Sequence, residues 1–286
     1  MNTRIELARQ GLRSALETRR RAGKSKSEPV CVFDLAEGLG VEVKFCPGNS
    51  LGGMYAKASQ TILVPALRPP GRQAFTCAHE LGHWVFGHGT RIDEWDDMER
   101  DRDDQPEERL VNHFASYLLM PPWAVEAAFA QRRWNPSNCT PTQAYIVAGQ
   151  LGVGYETLIQ HLRWSLRLIP VHHAEELLQT TPKQFRRSVL GYDEARHLVI
   201  ADHAWSNVAV DLQVGDAAIL PESVAVEGSS ATVTGAHEMG VVVTARVPGI
   251  SRAESADGAW AVFVRVSRKD FVGRSTYRFL EDPDVG

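Results

Sequence analysis

The chain has 286 residues, a formal net charge of −4 and 43% apolar residues, enough for two domains that each bury a core. The mild negative charge excludes bulk electrostatic binding to nucleic acid and leaves only a local patch for that role. No stretch is apolar enough to span a membrane, no signal-peptide pattern opens the chain, and Cys31, Cys46, Cys77 and Cys139 form no CxxC pair. These absences read as a cytoplasmic protein with reduced thiols.

Residues 3–21 place Leu7, Leu12 and Leu16 on one side of a helix that ends in Arg19, Arg20 and Arg21. After a polar stretch at 24–27, Val30, Val32, Phe33, Leu35 and Ala36 predict a short helix stopped by Gly38 and Gly40. Val41, Val43 and Phe45 alternate with polar residues as a strand, and Gly52, Gly53 and residues 54–56 lead to a second strand at 61–64. Pro69, Pro70 and Gly71 then punctuate the chain.

Residues 79–83 read His-Glu-Leu-Gly-His. On a helix, His79 and His83 lie one turn apart on one face, so both imidazoles can reach one metal ion. Glu80 follows directly, close enough to hold a metal-bound water and take its proton. Ala74, Phe75, Ala78, Leu81, Trp84, Val85 and Phe86 make the surrounding helix a buried one. That is unusual company for two histidines and a glutamate unless they share a partner. The plainer alternative is a helix whose histidines are solvated or satisfied within the core.

Between residues 93 and 108 there are ten acidic residues and two basic ones, without EF-hand spacing, which predicts a solvated surface loop rather than a calcium site. Residues 108–120 then form a helix closed by Pro121 and Pro122. A zinc peptidase site needs a third protein ligand and one position for water. Glu107 and Glu108 both precede Val111, Phe114, Ala115, Leu118 and Leu119, and periodicity does not choose between them. One of the pair reads equally well as a first-turn acid favoured by the helix dipole. Two further helices, at 141–151 and 155–168, flank a Gly152-Val153-Gly154 turn that resembles a helix-turn-helix joint.

Beyond residue 170 the texture changes. Helical segments at 174–190, interrupted at Pro182, precede short strands at 197–200, 208–212, 217–220, 231–234, 241–247 and 261–266. The expected architecture is α+β with two domains: a mostly helical metal domain with a small sheet at 1–168, and a β-rich α+β domain at 169–286. Near the end, Arg265, Arg268, Lys269, Phe271, Arg274, Tyr277, Arg278 and Phe279 interleave cations with rings. Such a mixture suits single-stranded DNA, and its alternative is an amphipathic strand pair with a basic outer face.

Three segments together resemble the ImmA/IrrE family of regulatory zinc metallopeptidases: residues 29–45 (PVCVFDLAEGLGVEVKF), 78–88 (AHELGHWVFGH) and 108–121 (ERLVNHFASYLLMP). The resemblance covers residues 25–168. In the third segment Glu108 takes the family's third-ligand position, with Asn112, Phe114, Ala115 and the Leu-Leu-Met-Pro close in register. Val111 replaces the family's usual Ala, and Leu110 stands where an acid is frequent. The resemblance implies Zn2+ held by His79, His83 and Glu108, with Glu80 as general base.

It also implies a protease that cuts one helix-turn-helix transcriptional repressor in a stress or anti-phage response. The C-terminal domain would then be a regulator, GAF-like in some relatives, and single-stranded DNA a fitting activator. His88, His113 and Tyr55 are the candidates for an oxyanion donor, and the strand at 53–56 offers an edge for the substrate backbone. Cys46 is either a thiolate that caps the zinc or an inert, half-buried thiol. Two rival functions stand beside this one: a DNA-binding or scaffold regulator with a structural zinc, reading DNA through residues 141–168, and a broad peptidase of peptide turnover.

Overall fold

The computed structural model describes residues 2–48, 51–89, 91–94, 105–191 and 197–281. The architecture is α+β, and the chain divides into two compact units. The first comprises Met1–Ala127, Leu151–Gly154 and Val272–Thr276; the second comprises Ala128–Gln150, Tyr155–Phe271 and Tyr277–Gly286. The division therefore falls earlier than the expected 168/169. Two interactions inside the second unit account for it: Tyr145 donates to the Leu198 carbonyl (2.8 Å), and Arg132 pairs with Asp202 (2.6 Å).

The first unit contains α1 (Asn2–Arg21), α2 (Val32–Gly38), β1 (Glu42–Cys46), β2 (Leu51–Ala56) and β3 (Thr61–Pro65). Then come α3 (Pro70–Val85), β4 (Arg91–Glu94), α4 (Pro106–Leu119) and, from the far end of the chain, β13 (Gly273–Arg274). The strands form one sheet in the order β13-β1-β3-β2-β4, with β1 and β3 parallel and the other pairs antiparallel. β4 covers the outer side of β2, pairing Met54 with Ile92 and Tyr55 with Arg91. The edge expected at 53–56 is thus interior, and among the described residues the edge strand on that side is β4. Residues 95–104 of the acidic segment lie outside the described residues.

Register pairs Val43 with Ile62 and Ile62 with Tyr55, so these residues share one face, which is buried. α3 packs against β2 and β3. Because side chains alternate along a strand, Lys44 and Cys46 lie on the face opposite Val43 and Phe45. On the other side of α3 runs α4, whose Val111, Phe114, Ala115 and Leu118 are fully buried.

α1 lies along α4 so closely that a methyl at Gly11 would stand 2.8 Å from His113 Cβ. The fully buried Arg19 ties this layer together. Its Nε and Nη2 donate to the Ser25 carbonyl (3.0 and 2.8 Å), Nη1 to that of Leu118 (2.6 Å), and Nη2 also to that of Glu28. Burial pulls its pKa down to about 10.

α5 (Pro122–Ala130) carries the chain across the division. In the second unit, α6 (Pro141–Gln150), α7 (Tyr155–Gln160, continued by a π turn to Ser165), α8 (Val171–Leu178) and α9 (Pro182–Leu190) come first. The helical segments break as expected before Pro182, which starts α9 beneath a Thr181–Gln184 capping box.

The strands β5 (Leu198–Ile200), β6 (Val210–Gln213), β7 (Ala217–Leu220) and β8 (Val224–Glu227) follow. β9 (Ala231–His237), β10 (Gly240–Ala245), β11 (Gly249–Ser255) and β12 (Ala261–Ser267) complete the set. They make two four-stranded sheets, β5-β7-β10-β9 and β6-β12-β11-β8. The sheets share one apolar core containing Trp205, Leu212, Leu220, Val243, Trp260 and Val264. This is the form taken by the helix-then-strands order, which is compatible with the GAF-like domain that the resemblance implies. Among the described residues no helix is long and apolar enough to cross a membrane.

Candidate metal centre

α3 and α4 each begin with a proline, where the missing N–H is no loss. The start at Pro106 sets which acid of the first turn faces inward. Glu108 is 3% exposed and Glu107 is exposed, so the ambiguity that periodicity left is resolved by the register of α4. Glu108 Oε2 lies 3.4 Å from His79 Nε2 and 3.8 Å from His83 Nε2, and the two Nε2 atoms are 3.2 Å apart. His79 and His83 are as buried as Glu108. Among the described residues this trio is the cluster of three metal-ligating side chains whose donor atoms converge.

The fit to an ion can be tested on those three edges. Tetrahedral coordination with bonds of about 2.0–2.2 Å separates ligand atoms by about 3.3–3.6 Å. The observed edges of 3.2, 3.4 and 3.8 Å bracket that range. Two imidazoles and one carboxylate are also the donor set of a catalytic site that keeps a fourth position open.

Behind each ligand ring stands a second partner. His79 Nδ1 is 2.9 Å from Asn112 Oδ1, and His83 Nδ1 is 2.9 Å from His88 Nδ1. Glu80 leaves α3 about 100° around the helix from His79 and is 1% exposed. Its carboxylate meets the backbone of β2: a methyl at Gly53 would come within 2.5 Å of Glu80 Oε1 and 2.6 Å of Thr76 Cγ2.

The other expected site residues divide clearly. Tyr55 is buried, its phenol pKa raised by desolvation, on the same face of β2 as Gly53. It alone of the three oxyanion candidates shares the wall that meets Glu80. His88 instead contacts the Nδ1 side of His83, away from the converging Nε2 atoms. His113, five residues beyond Glu108 and so about 140° around α4, has its Cβ against α1 and its ring stacked on Tyr117 at 6.4 Å. Cys46 points to the sheet face opposite the one that packs on α3, and its thiol donates to the Val64 carbonyl (3.5 Å). Burial raises its pKa, so it is an inert thiol and not a cap on the metal.

The interleaved cations near the C-terminus are largely engaged. In the second unit Arg265 makes a two-pronged bridge to Asp211 (2.6 and 2.7 Å), and Arg278, 7% exposed, approaches the same carboxylate at 3.8 Å. Both guanidinium groups stack on Phe279, at 4.6 and 4.3 Å from its centroid. In the first unit Arg274 bridges to Glu42, whose carboxyl is held below its usual range by Lys44 first and by Arg274 also. Arg268, Lys269 and Tyr277 are exposed, and Phe271 is half-buried. Within the helix-turn-helix-like pair at 141–168 the cations are Arg163 and Arg167, both beyond residue 160, and most of α6 is buried.

Comparison with known proteins points to the same part of the chain. Residues 36–163 match the IrrE N-terminal-like domain, a span that contains His79, Glu80, His83 and Glu108. That segment is similar to the ImmA/IrrE family. The radiation response metalloprotease IrrE of Deinococcus radiodurans is 37% identical over 84 residues, 29% of this chain and 26% of the relative. Its counterpart in Deinococcus deserti is 38% identical over 90 residues, 30% of this chain and 32% of the relative. The matched stretches thus span less than a third of either relative. A Mycobacterium tuberculosis transcriptional regulator aligns with a TM-score of 0.36 and 18% identity, over 53% of this chain and 46% of that one. That likeness is too slight to bear on fold or function.

Within the ImmA/IrrE segment, three contributors escaped sequence reading. Asn112 stands in register in the third motif, but nothing in its spacing reveals the ring it touches. Gly53 meets Glu80 only through the tertiary fold. Gly87, with φ +71°, ends α3 and brings His88 back beneath His83. Of these, the Gly-His pair at 87–88 carried a local signal, a helix C-terminal glycine followed by a polar ring.

Proposed function

We propose that the chain is a zinc-dependent endopeptidase of the cytoplasm that cuts a helix-turn-helix transcriptional repressor in a stress or anti-phage response. The observation that carries this reading is the convergence of His79 Nε2, His83 Nε2 and Glu108 Oε2 within 3.8 Å, with Glu80 next to the first ligand. His79, His83 and Glu108 would hold the ion. Bound there, zinc would supply an acidified water and polarise the scissile carbonyl. Glu80 would act as the general base and pass the proton to the leaving amine. Tyr55 is the side chain placed to donate to the developing oxyanion, and β4 offers its backbone edge to an extended substrate.

The radiation response named for the two Deinococcus relatives supports a stress setting. Single-stranded DNA as activator would act through the exposed Arg268, Lys269 and Tyr277. The rival reading, a DNA-binding regulator with a structural zinc, is disfavoured because residues 141–168 offer phosphates only Arg163 and Arg167, both at the far end of the pair.

The test is incubation of wild type and Glu80→Gln with the helix-turn-helix repressor encoded beside the gene, with and without single-stranded DNA. A single cut by wild type, absent in the variant, is the expected result. Metal-loaded wild type that cuts nothing under either condition, and binds duplex DNA instead, would establish the rival. Cleavage of casein at many bonds would replace the repressor with general peptide turnover.

A further inference from the structure

We infer that His88 and Asn112 are positioning residues that fix the tautomers of the two metal-ligating histidines, and that the turn ending α3 is built to deliver His88. This rests on the metal-centre reading above, and names what makes the two rings usable as ligands.

A neutral imidazole carries its proton on one nitrogen and a lone pair on the other, and only the lone-pair nitrogen can bind a metal. At His79 the question is settled by an amide. Asn112 Oδ1 accepts and cannot donate, so at 2.9 Å it requires the proton on Nδ1 and leaves Nε2 bare toward Glu108. Asn112 follows Glu108 by four residues, one turn along α4. One face of one helix therefore supplies both a ligand and the partner that orients another ligand.

At His83 the partner is a second imidazole. Of the two facing Nδ1 atoms, 2.9 Å apart, one donates and the other accepts. His83 Nε2 is the atom in the converging trio, 3.2 Å from His79 Nε2. It must therefore be bare, so His83 Nδ1 donates and His88 Nδ1 accepts. His88 keeps its own proton on Nε2.

The backbone explains how a residue five positions after a ligand reaches that ligand's far side. Gly87 lies in the left-handed region at φ +71°, the Gly87 N–H donates to the Trp84 carbonyl (3.1 Å), and the His88 N–H donates to that of His83 (2.9 Å). These are the two bonds of a Schellman turn. The turn folds residue 88 back over the carbonyl of residue 83, so the same two residues are joined once through backbone and once through rings. Phe86, stacked on His88 at 5.9 Å and edge-on to Phe114 at 5.7 Å, fills the space beneath.

Outer partners of this kind typically change metal affinity by about 10–100-fold. The experiment measures zinc affinity by competition with a chromophoric chelator for wild type, Asn112→Leu, Asn112→Asp, His88→Leu and His88→Gln. Leucine at either position is expected to weaken zinc by about 10–100-fold, whereas the Asp and Gln variants, which keep an acceptor oxygen, stay within about threefold. Affinities of both leucine variants within about twofold of wild type would overturn the inference.

The second arm needs no mutation. Nitrogen NMR shifts of metal-free wild type should show His79 and His83 protonated at Nδ1 and His88 at Nε2, and protonation of either ligand at Nε2 would overturn the assignment. Wild type that binds no zinc would sink the metallopeptidase reading by itself, and the tautomer measurement would still decide this one.

Discussion

Gly53→Ala is the substitution that tests most directly whether β2 holds Glu80 in place. The added Cβ would sit 2.5 Å from Glu80 Oε1 and 2.6 Å from Thr76 Cγ2. Unstrained carbon contacts begin near ~3.5 Å, so about 1 Å of retreat is needed. The carboxylate can swing, but Thr76 is β-branched and stiff at χ1, so the strand or the helix must also give. A displacement of about 1 Å at a reacting group costs about 100-fold in rate, or ~2.7 kcal/mol of barrier. Overpacking itself costs about 1–3 kcal/mol of stability. The ligands sit on α3 and α4, not on β2, so metal content should hold.

The assay is steady-state cleavage of the proposed repressor substrate, with metal analysis and thermal unfolding on the same samples. A fall in kcat of about 100-fold with KM and bound metal nearly unchanged is expected. A kcat within about threefold of wild type and an unchanged Tm would refute the idea that β2 walls the carboxylate.

Three further outcomes follow from the same geometry. Glu108→Ala should abolish stoichiometric metal uptake while Glu107→Ala leaves it intact, measured by metal analysis after dialysis. Arg19→Met leaves the carbonyls of Ser25, Glu28 and Leu118 without their donor and should lower stability by about 3–5 kcal/mol in urea titration. His197 has its pKa pushed down to about 4, chiefly by burial and also by Arg186. The unfolded chain therefore binds more protons between about pH 6.5 and 4, so stability is lost as pH falls through that window. The upper bound is ~3 kcal/mol, reduced because the ring is only half-buried, and His197→Gln should flatten the slope of unfolding free energy against pH there.

The metal centre was legible where its information is local. His79 and His83 are one turn apart and any helix brings them together, whereas Glu108 depended on which residue begins α4. The resemblance chose it, and the structure buries Glu108 beside both imidazoles while Glu107 is exposed. His88 and His113 misled because a histidine near a motif says nothing of the direction its ring takes. Among the C-terminal cations, Arg265 finds Asp211 across 54 residues, a pairing that no local pattern announces. Six strands of the second unit were visible in their β-branched runs. β8 and β11 were not; the inward positions of β11 are Gly249, Ser251 and Ala253, too small to register as an apolar alternation.

The pairing of β13 with β1 has a temporal consequence. Glu42 and Arg274, which bridge the two strands, are 232 residues apart in the chain. At about 5–20 residues per second, synthesis separates them by roughly 10–50 s. Until then the outer edge of β1 lacks its partner, while α3 and α4 have already emerged. The sheet beside the metal helix thus closes only after strands β5–β12 of the second unit have been synthesised. A chain halted anywhere in the second unit would carry the ligands but leave an open strand edge, the kind of surface that recruits other strands.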